Sequence, residues 1–259
     1  MFGICNLSVV PCRAEASDRS EMLTQLLFGE RFKILEEIPS WTKIKIAYDD
    51  YECWIGSKQF LRISGSVFMD LEKSKTVNSF ELVQVVSSST TSQIIPILLG
   101  STLPGFNGKT FSIEKSYFTY DGFTNENAVP NSRNAIIENA FLYLNAPYLW
   151  GGRNPFGIDC SGFTQMVFKL NGVKLKRDAI QQAEAGETLS FLEEAQEGDL
   201  AFFDNEEGRI IHVGIILNES KIIHASGKVR IDSLDHEGIF NSETQKYSHR
   251  LRIIKRILK

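Results

Sequence analysis

Residues 154–170, NPFGIDCSGFTQMVFKL, place a cysteine between an aspartate and a Ser-Gly pair at the start of an apolar segment. Phe163, Val167 and Leu170 follow Cys160 at three- and four-residue spacing, which is the helical period. The Gly-Ile-Asp before the cysteine suits the start of a helix rather than its interior. We therefore expect Cys160 in the first turn of a helix, where the macrodipole lowers the pKa of a thiol and favours the nucleophilic thiolate.

A lone cysteine on an apolar helix face is more often a small core residue than a nucleophile. A reactive thiol also needs a base, which this segment does not contain. Cys5, Cys12 and Cys53 lie far from Cys160 in the sequence and form no C-x-x-C pair, which argues against a zinc ribbon or a thioredoxin-like motif. A chain of 259 residues does not need disulfides as staples, so we expect four free thiols.

The overall composition limits the classes of function. Hydrophobic residues make up 42% and charged residues 23% of the chain, which is typical of a globular protein. A net charge of −4 without a run of basic residues argues against nucleic-acid binding. The apolar stretch at 94–99 is too short to cross a membrane, and the N-terminus shows no signal peptide. We expect a monomer in the cytoplasm, or in the periplasm or at the cell wall if an export signal has been removed.

The front half of the chain has the pattern of short strands joined by turns. In WTKIKIAYDDYECWIG, at 41–56, isoleucines alternate with lysines before an Asp-Asp turn and a second strand. This pattern predicts a small SH3-like β-barrel over residues 1–63. Residues 64–127 resemble a looser second copy, with an Asn-Gly hairpin signal at 107–108.

Residues 128–259 change to a mixture of helices and strands. The helix signals are Ile136, Ala140 and Leu144 ahead of Pro147, the segment from Cys160, and RDAIQQAEAG at 177–186, where Asp178 and Gln181 form a capping-box pattern. The strand signals are GDLAFF at 198–203, RIIHVGIIL at 209–217, KIIHASG at 221–227 and RLRIIKRIL at 250–258. Helices followed by an antiparallel sheet predict an α+β domain.

Two histidines lie on neighbouring strands of this predicted sheet. If Leu217 pairs with Lys221, then Gly214 faces His224, and His212 and His224 project from one face, about 7 Å apart by ladder geometry. A register shifted by one residue would place the two side chains on opposite faces. Glycine opposite His224 leaves space for an imidazole.

Packed against the Cys160 helix, this hairpin would supply a thiol, a base and a second histidine that orients the base. The competing interpretation is a zinc site with Cys160, His212 and His224 as ligands. No fourth ligand and no tight local pair of ligands accompany them, so we predict no metal and no other cofactor. His236 and His249 have no comparable context and are expected at the surface.

Several motifs together now resemble a known family. PYLWGGRNPFGIDCSGFTQMVF, RDAIQQ, EGDLAFF, HVGIIL and IIHASG follow one another in the order found in the NlpC/P60 cysteine peptidases, which have a papain-like fold. The resemblance covers about residues 130–259, and the front half resembles two bacterial SH3-type domains. This combination is similar to the γ-D-glutamyl-L-diamino acid endopeptidases that act on murein peptides.

The resemblance assigns roles to individual residues. Cys160 matches the nucleophile, His212 the base and His224 the third polar residue. Tyr148 matches a tyrosine beside the active site, whose hydroxyl would help the Cys160 backbone N–H to hold the oxyanion.

The resemblance also implies substrate-binding residues, and these are Trp150, Asp159, Ser161, Asp178, Glu21 and Tyr51. Trp150 fits a pocket wall, and Asp159 and Ser161 flank the nucleophile. Asp178 matches an acidic residue that holds the free amine of the substrate, although a helix cap explains an aspartate there equally well. Glu21 and Tyr51 rest on position alone, and a barrel-core aromatic is the alternative for Tyr51.

The function that the resemblance implies is cleavage of the γ-D-glutamyl–diamino acid bond in murein tri- or tetrapeptides with a free N-terminal L-Ala, through a thioester. The first barrel is expected to close one end of the cleft. One alternative is a related amidase that acts on another amide. Another is a wall-binding module with vestigial catalysis, which the intact set of Cys160, His212 and His224 argues against.

Overall fold

The computed structural model describes residues 1–127, 132–218 and 220–258. Packing divides the chain into two compact units, Met1–Asn127 and Ala128–Lys259. The predicted domain boundary between residues 127 and 128 falls at the edge of residues 128–131, which lie outside the described residues. Within the described ranges, no helix is long and apolar enough to span a bilayer.

The first unit begins with a sheet of antiparallel strands. The strands are β1 (Phe2–Ile4), β2 (Val9–Arg13), β3 (Met22–Leu27), β4 (Arg31–Ile38), β5 (Trp41–Ile46), β6 (Glu52–Gly56) and β7 (Leu61–Ile63). They form one seven-stranded sheet in the order β3-β2-β6-β5-β4-β1-β7. Thr42, Ile44 and Ile46 are buried while the intervening lysines are partly exposed, which confirms the strand predicted in this segment.

The rest of this unit forms two smaller sheets. Its elements are α1 (Gly65–Lys73), β8 (Val77–Asn78), β9 (Val83–Ser88), β10 (Ile94–Leu98), β11 (Thr102–Leu103), β12 (Thr110–Ile113), β13 (Ser116–Thr119) and a 3-10 turn at Asn125–Asn127. A four-stranded sheet has the order β10-β9-β13-β12, and β11 pairs with β8. The predicted hairpin at 107–108 is therefore wrong: Gly108 has a turn conformation with φ +96°, but the strands on either side pair with other partners.

One apolar core serves both parts of the first unit. Phe28 makes edge contacts with Phe111 and Phe118, each at a ring-centroid distance of 6.0 Å. Ile4 and Ile63 belong to the same cluster. Because side chains from both sides of position 63 share this core, the division into barrels at 1–63 and 64–127 stays a prediction. The three cysteines of this unit are buried free thiols, as expected, and Cys160 is also free.

The second unit contains three helices and nine strands among the described residues. The helices are α2 (Arg133–Phe141), α3 (Cys160–Leu170) and α4 (Ala179–Gln182), with a 3-10 turn at Leu192–Glu194. The strands are β14 (Arg153–Asn154), β15 (Gly157–Ile158), β16 (Glu187–Leu189), β17 (Leu200–Asp204), β18 (Ile210–Asn218), β19 (Lys221–Ser226), β20 (Lys228–Leu234), β21 (Gly238–Asn241) and β22 (Lys246–Arg256).

Six of these strands close into a barrel. The main sheet has the order β16-β22-β17-β18-β19-β20-β21, and β22 pairs with β21 as well as with β17. This second pairing joins the two ends of the sheet, so β17–β22 leave no free edge between them. Three helices followed by an antiparallel sheet confirm the predicted α+β arrangement.

Helix α3 is the central element of this unit, and all of its residues are buried. It packs against β18 and β19 on one side and against α2 on the other. Phe163 contributes to the second contact, where its ring meets Tyr143 edge-on at a centroid distance of 6.0 Å. A helix buried on both sides holds its first residue in a fixed position relative to the barrel.

The hairpin β18–β19 has the predicted pairing at its functional end. Gly214 faces His224 as expected, and a Cβ on Gly214 would lie 2.9 Å from the His224 Cβ, so glycine is required there. The assumed pairing of Leu217 with Lys221 is wrong, because an irregularity lets Asn218 pair with Lys221 instead. The irregularity is confined to the turn and leaves the two histidines on one face.

Other predicted boundaries differ from the structure. Helix α2 ends at Phe141 with Leu142 as its C-cap, so Leu144 lies in the turns that follow. The third predicted helix is a single turn, although Asp178 is its N-cap as expected. The sequence analysis did not predict β20 or β21, and it began the last strand at residue 250 rather than at Lys246.

Candidate active site

The Cys160 thiol lies at the N-terminus of α3, and only 6% of the residue is exposed. Asp159 is the N-cap: its Oδ1 accepts a hydrogen bond from the Gly162 N–H at 2.6 Å, and its Oδ2 accepts one from the Gly151 N–H at 2.8 Å. A Cβ on Gly162 would lie 2.3 Å from the carbonyl oxygen of Gly152. The glycine two residues after the cysteine therefore lets the helix start approach the neighbouring loop.

Arg177 holds the residues on both sides of the cysteine. Its Nη2 donates to Asp159 Oδ2 at 2.6 Å, and its Nη1 donates to Asp159 Oδ1 at 3.1 Å and to Ser161 Oγ at 2.9 Å. The guanidinium is almost completely buried, with 1% of the residue exposed. Asp159 and Ser161, which were expected to contact substrate, are thus engaged by the protein itself.

Burial raises the pKa of the Cys160 thiol to about 12, and the nearby Asp159 carboxylate adds to this increase. Hydrogen bonds from the Val213 and Ser161 N–H groups and the charge of Arg177 act in the opposite direction without offsetting the burial. The expectation that the helix terminus lowers this pKa is therefore wrong, because desolvation of the thiolate is the larger effect. The thiol keeps its proton at rest and needs a base to lose it.

A chain of buried hydrogen bonds leads to that base. His212 Nε2 lies 2.9 Å from His224 Nδ1, and His224 Nε2 lies 3.0 Å from Asp232 Oδ2. Arg230 donates from Nε to Asp232 Oδ2 at 2.7 Å and from Nη2 to Oδ1 at 3.0 Å. His212 directly precedes Val213, whose backbone N–H lies close to the Cys160 thiol.

The protonation states follow from this chain. Burial alone would raise the pKa of Asp232, but hydrogen bonds from His224 and Arg230 lower it below its ordinary value. An ionised Asp232 only accepts, so His224 donates to it from Nε2. If His212 donates from Nε2 to His224 Nδ1, the lone pair of His212 Nδ1 is available to take the thiol proton.

His212 is suited to be a neutral base. Burial lowers its pKa well below the ordinary value, and the neighbouring His249 and His224 add to this effect. A neutral imidazole can accept a proton, whereas an imidazolium cannot. The structure brings together His212 and His224, as predicted from the hairpin register.

The expectation that His249 is a surface residue is wrong. Its ring stacks on His212 at a centroid distance of 4.0 Å and an interplanar angle of 21°. Burial lowers the pKa of His249 to about 4, with His224 contributing in the same direction. His236, by contrast, is exposed and pairs with Glu193 at 3.2 Å, as a surface residue would.

The three clustered histidines raise the question of a metal. One ring nitrogen from each of His212, His224 and His249 lies within 4.8 Å of the others. The rings of His212 and His249 are nearly parallel, however, so the lone pairs in their planes run side by side instead of converging on one point. The parallel pair therefore does not present the converging lone pairs that a metal site needs.

The other predicted residues occupy different surroundings. Tyr148 is half-buried, and burial followed by the proximity of Cys160 and Asp159 raises its pKa, so its hydroxyl remains a donor near the thiol. Trp150 is 59% exposed, as a residue on a pocket wall would be. Asp178 is partly exposed, and its backbone N–H donates to Gln181 Oε1 at 3.1 Å.

Glu21 and Tyr51 belong to the first unit. The residues around Cys160 that are described above all belong to the second unit. Glu21 is exposed. Tyr51 is partly buried and packs against the apolar core of that unit, which agrees with the alternative interpretation of a barrel-core aromatic.

Comparison with known proteins identifies the family of this chain. Residues 145–248 match the NlpC/P60 family, and residues 12–60 match the bacterial dipeptidyl-peptidase SH3 domain. A solved NlpC/P60 family protein from Bacillus cereus has the same fold, with a TM-score of 0.82 and 19% identity over the whole of both chains. The chain belongs to the NlpC/P60 family of cysteine peptidases and carries a bacterial SH3 domain in front of the peptidase domain.

Within the family, the chain is homologous to the γ-D-glutamyl-L-lysine dipeptidyl-peptidases. It is 31% identical over 228 residues to the Bacillus subtilis enzyme of that name, covering 78% of this chain and 71% of the relative. It is 27% identical over 257 residues to dipeptidyl-peptidase 6 of Lysinibacillus sphaericus, covering 86% of this chain and 88% of the relative. The protein is thus a peptidase that hydrolyses peptidoglycan peptides.

Four residues of the site were not predicted from the sequence, and these are Arg177, Arg230, Asp232 and His249. Arg177 lies inside a quoted motif, but its partners are 16 and 18 residues away and cannot be read from spacing. The alternation of Val229 and Ile231 with polar residues could have revealed the strand that carries Asp232.

The role of Arg177 can be tested by substitution. Arg177→Gln leaves the Asp159 carboxylate buried without its cation, and we expect a loss of about 3–5 kcal/mol in the free energy of unfolding. Arg177→Lys keeps the positive charge but not the bidentate hydrogen bonding, so the decrease in the free energy of unfolding should be smaller. Arg209→Gln, at an exposed arginine, is the matched control and should change stability by less than about 0.5 kcal/mol. Urea unfolding measures all three, and an Arg177→Gln protein as stable as the control would contradict the assigned role.

The lowered pKa values of His212 and His249 predict a pH-dependent stability. Below about pH 6.5 these two histidines take up protons in the unfolded chain but stay neutral in the folded protein. In the folded protein the groups that surround them are each other, His224 and Asp232. The free energy of unfolding should therefore fall as the pH drops from about 7 to about 5. His249→Phe should reduce the slope and the exposed His236→Ala should not. Equal slopes in the wild type and His249→Phe would show that His249 does not stay neutral in the folded protein.

Proposed function

We propose that this chain is a cysteine endopeptidase that cleaves the γ-D-glutamyl–L-diamino acid bond of murein peptides with a free N-terminal L-Ala. The products are L-Ala-γ-D-Glu and the remaining peptide, which begins with the diamino acid. The observation that carries the proposal is the buried hydrogen-bond chain from Asp232 through His224 to His212, a residue that directly precedes Val213, whose backbone N–H lies close to the Cys160 thiol. The names of the Bacillus relatives indicate the same bond. We place the activity in the recycling or turnover of cell-wall peptides.

Acylation begins with transfer of the thiol proton to His212 Nδ1. The sulfur attacks the γ-carbonyl carbon, and the Cys160 backbone N–H and the Tyr148 hydroxyl hold the oxyanion. The tetrahedral intermediate collapses as the carbon–nitrogen bond breaks, and His212 gives its proton to the leaving amine of the diamino acid. A thioester between Cys160 and the γ-carboxyl group of the glutamyl residue remains.

Deacylation repeats these steps with water. His212 takes a proton from the water, the oxygen attacks the thioester, and the sulfur leaves and regains the proton. Through both half-reactions the ionised Asp232, acting through His224, stabilises the imidazolium that forms on His212. Cys160→Ala should therefore abolish turnover.

In this proposal Asp178 binds the free amine of the substrate, and Trp150 forms a wall of the pocket. A bound ammonium group that loses contact with water must be paired with a carboxylate, because an unpaired buried charge is too costly. Asp178 is partly exposed at the start of α4, where it can serve both as the N-cap and as this carboxylate. Glu21 and Tyr51 remain candidates for further substrate contacts.

The test compares the wild type and Asp178→Asn on L-Ala-γ-D-Glu-diaminopimelate and on its N-acetylated form. Acetylation should lower kcat/KM of the wild type by about 10⁴, because it leaves the carboxylate unpaired and adds bulk. Asp178→Asn should narrow the gap between the two substrates. Asparagine is as good an N-cap as aspartate, so the variant keeps α4 intact.

Two controls accompany this comparison. Glu184→Gln removes another carboxylate close to α4, at an exposed position, and should leave both rates unchanged. Cys160→Ala reports the background rate. Comparable wild-type rates on the free and acetylated peptides would contradict the requirement for a free amine, and a failure to cleave either peptide would contradict the proposed bond.

A further inference from the structure

His249 is in contact with the proposed base. It belongs to β22, and its ring lies parallel to that of His212 at a centroid distance of 4.0 Å and an angle of 21°. Its Nδ1 lies 2.9 Å from the Ser248 hydroxyl oxygen, and its ring also meets Phe203 edge-on at a centroid distance of 6.0 Å. The proton transfers described above do not involve His249.

His212 needs more than its hydrogen bond to stay aligned. The contact between its Nε2 and His224 Nδ1 fixes one atom of the ring but still allows the ring plane to swing about the direction of that bond. Such a swing would move Nδ1 away from the thiol. Phe203 contacts His212 at an interplanar angle of 47°, so it touches the ring without lying flat against it. His224 meets it at 87°.

A parallel ring at van der Waals distance opposes this swing, because any tilt of His212 drives its edge into the face of His249. The second unit also brings this ring in from a distant part of the sequence. The pairing of β22 with both β17 and β21 closes the barrel, and that closure places His249 beside a histidine 37 residues earlier in the chain.

We propose that His249 is a positioning residue that holds the ring plane of His212 so that Nδ1 faces the Cys160 thiol. It acts through His212 and contacts neither the thiol nor the substrate. The inference rests on the proposed function only in taking His212 as the base. It requires a flat ring at position 249, and it does not require that ring to carry or transfer a proton.

The test replaces His249 with phenylalanine, leucine or glutamine. Phenylalanine keeps a flat ring without titrating, leucine keeps bulk without a flat face, and glutamine keeps polarity without a ring. We expect His249→Leu and His249→Gln to lower kcat about 10- to 100-fold, since a misaligned base loses most of its contribution, with KM changed by less than about twofold. His249→Phe should restore kcat to within about threefold of the wild type.

A second readout does not depend on the peptide substrate. The rate at which iodoacetamide alkylates Cys160 at neutral pH reports how readily the base removes the thiol proton. The rates should follow the same order, with the wild type and His249→Phe fast and the leucine and glutamine variants slow. His236→Ala, at an exposed histidine whose recorded partner is Glu193, is the control and should match the wild type in both assays.

Two results would overturn the inference. If His249→Leu and His249→Gln keep wild-type kcat and alkylation rates, the flat ring is not needed. If His249→Phe is as slow as the leucine variant, the imidazole itself is required, as a metal ligand or a proton carrier would be. Thermal unfolding of each variant identifies any that fail to fold. If His249→Leu does not fold, the comparison of His249→Gln with His249→Phe decides. If the wild type cleaves no murein peptide while the alkylation rates keep the expected order, the proposed function fails and the positioning role stands.

Discussion

The chemistry of this protein depends on a buried carboxylate at the end of a chain of two histidines. The pKa of Asp232 lies below its ordinary value because His224 and Arg230 both donate to it, so the carboxylate is ionised and fixes the direction of the bond from His224. For His212 to act as the base, its Nε2 donates to His224 Nδ1 and its Nδ1 keeps a lone pair.

The nucleophile is placed by a second buried ion pair, between Arg177 and Asp159. That pair fixes the start of α3, and α3 in turn is buried between the barrel and α2. The same burial that holds Cys160 still also raises its thiol pKa to about 12. A thiol kept protonated at rest reacts only when a base removes its proton, because the thiolate is the reactive form. Reaction then requires transfer of the thiol proton to His212. Catalysis therefore depends on both ion pairs, because the Arg177–Asp159 pair holds the nucleophile and the Arg230–Asp232 pair supports the histidines.

Local patterns in the sequence predicted the parts of the site that depend on neighbouring residues. The helical period placed Cys160 at a helix start, and alternation along two adjacent strands placed His212 and His224 on one face. The order of helices and strands predicted the α+β class. Each of these inferences uses residues only a few positions apart, where backbone geometry dictates which side chains meet.

Other parts depend on long-range packing and were not predicted. Asp232 and Arg230 lie on a strand that the sequence analysis did not recognise, and His249 reaches the site only because β22 closes the barrel. The thiol pKa was predicted in the wrong direction because a helix terminus can be read from sequence, whereas the depth of burial that outweighs it cannot. The surface assignment of His249 was wrong because nothing near it in the sequence indicates a partner 37 residues away.

The mechanism requires a neutral His212 that carries its proton on Nε2. Nitrogen-15 NMR of the histidine side chains near pH 7, with assignments from His212→Gln and His224→Gln proteins, tests this requirement. We expect His212 to show one protonated nitrogen at Nε2 and one unprotonated nitrogen at Nδ1. A doubly protonated His212, or a proton on its Nδ1, would contradict the account, because no lone pair would then be available to take the thiol proton.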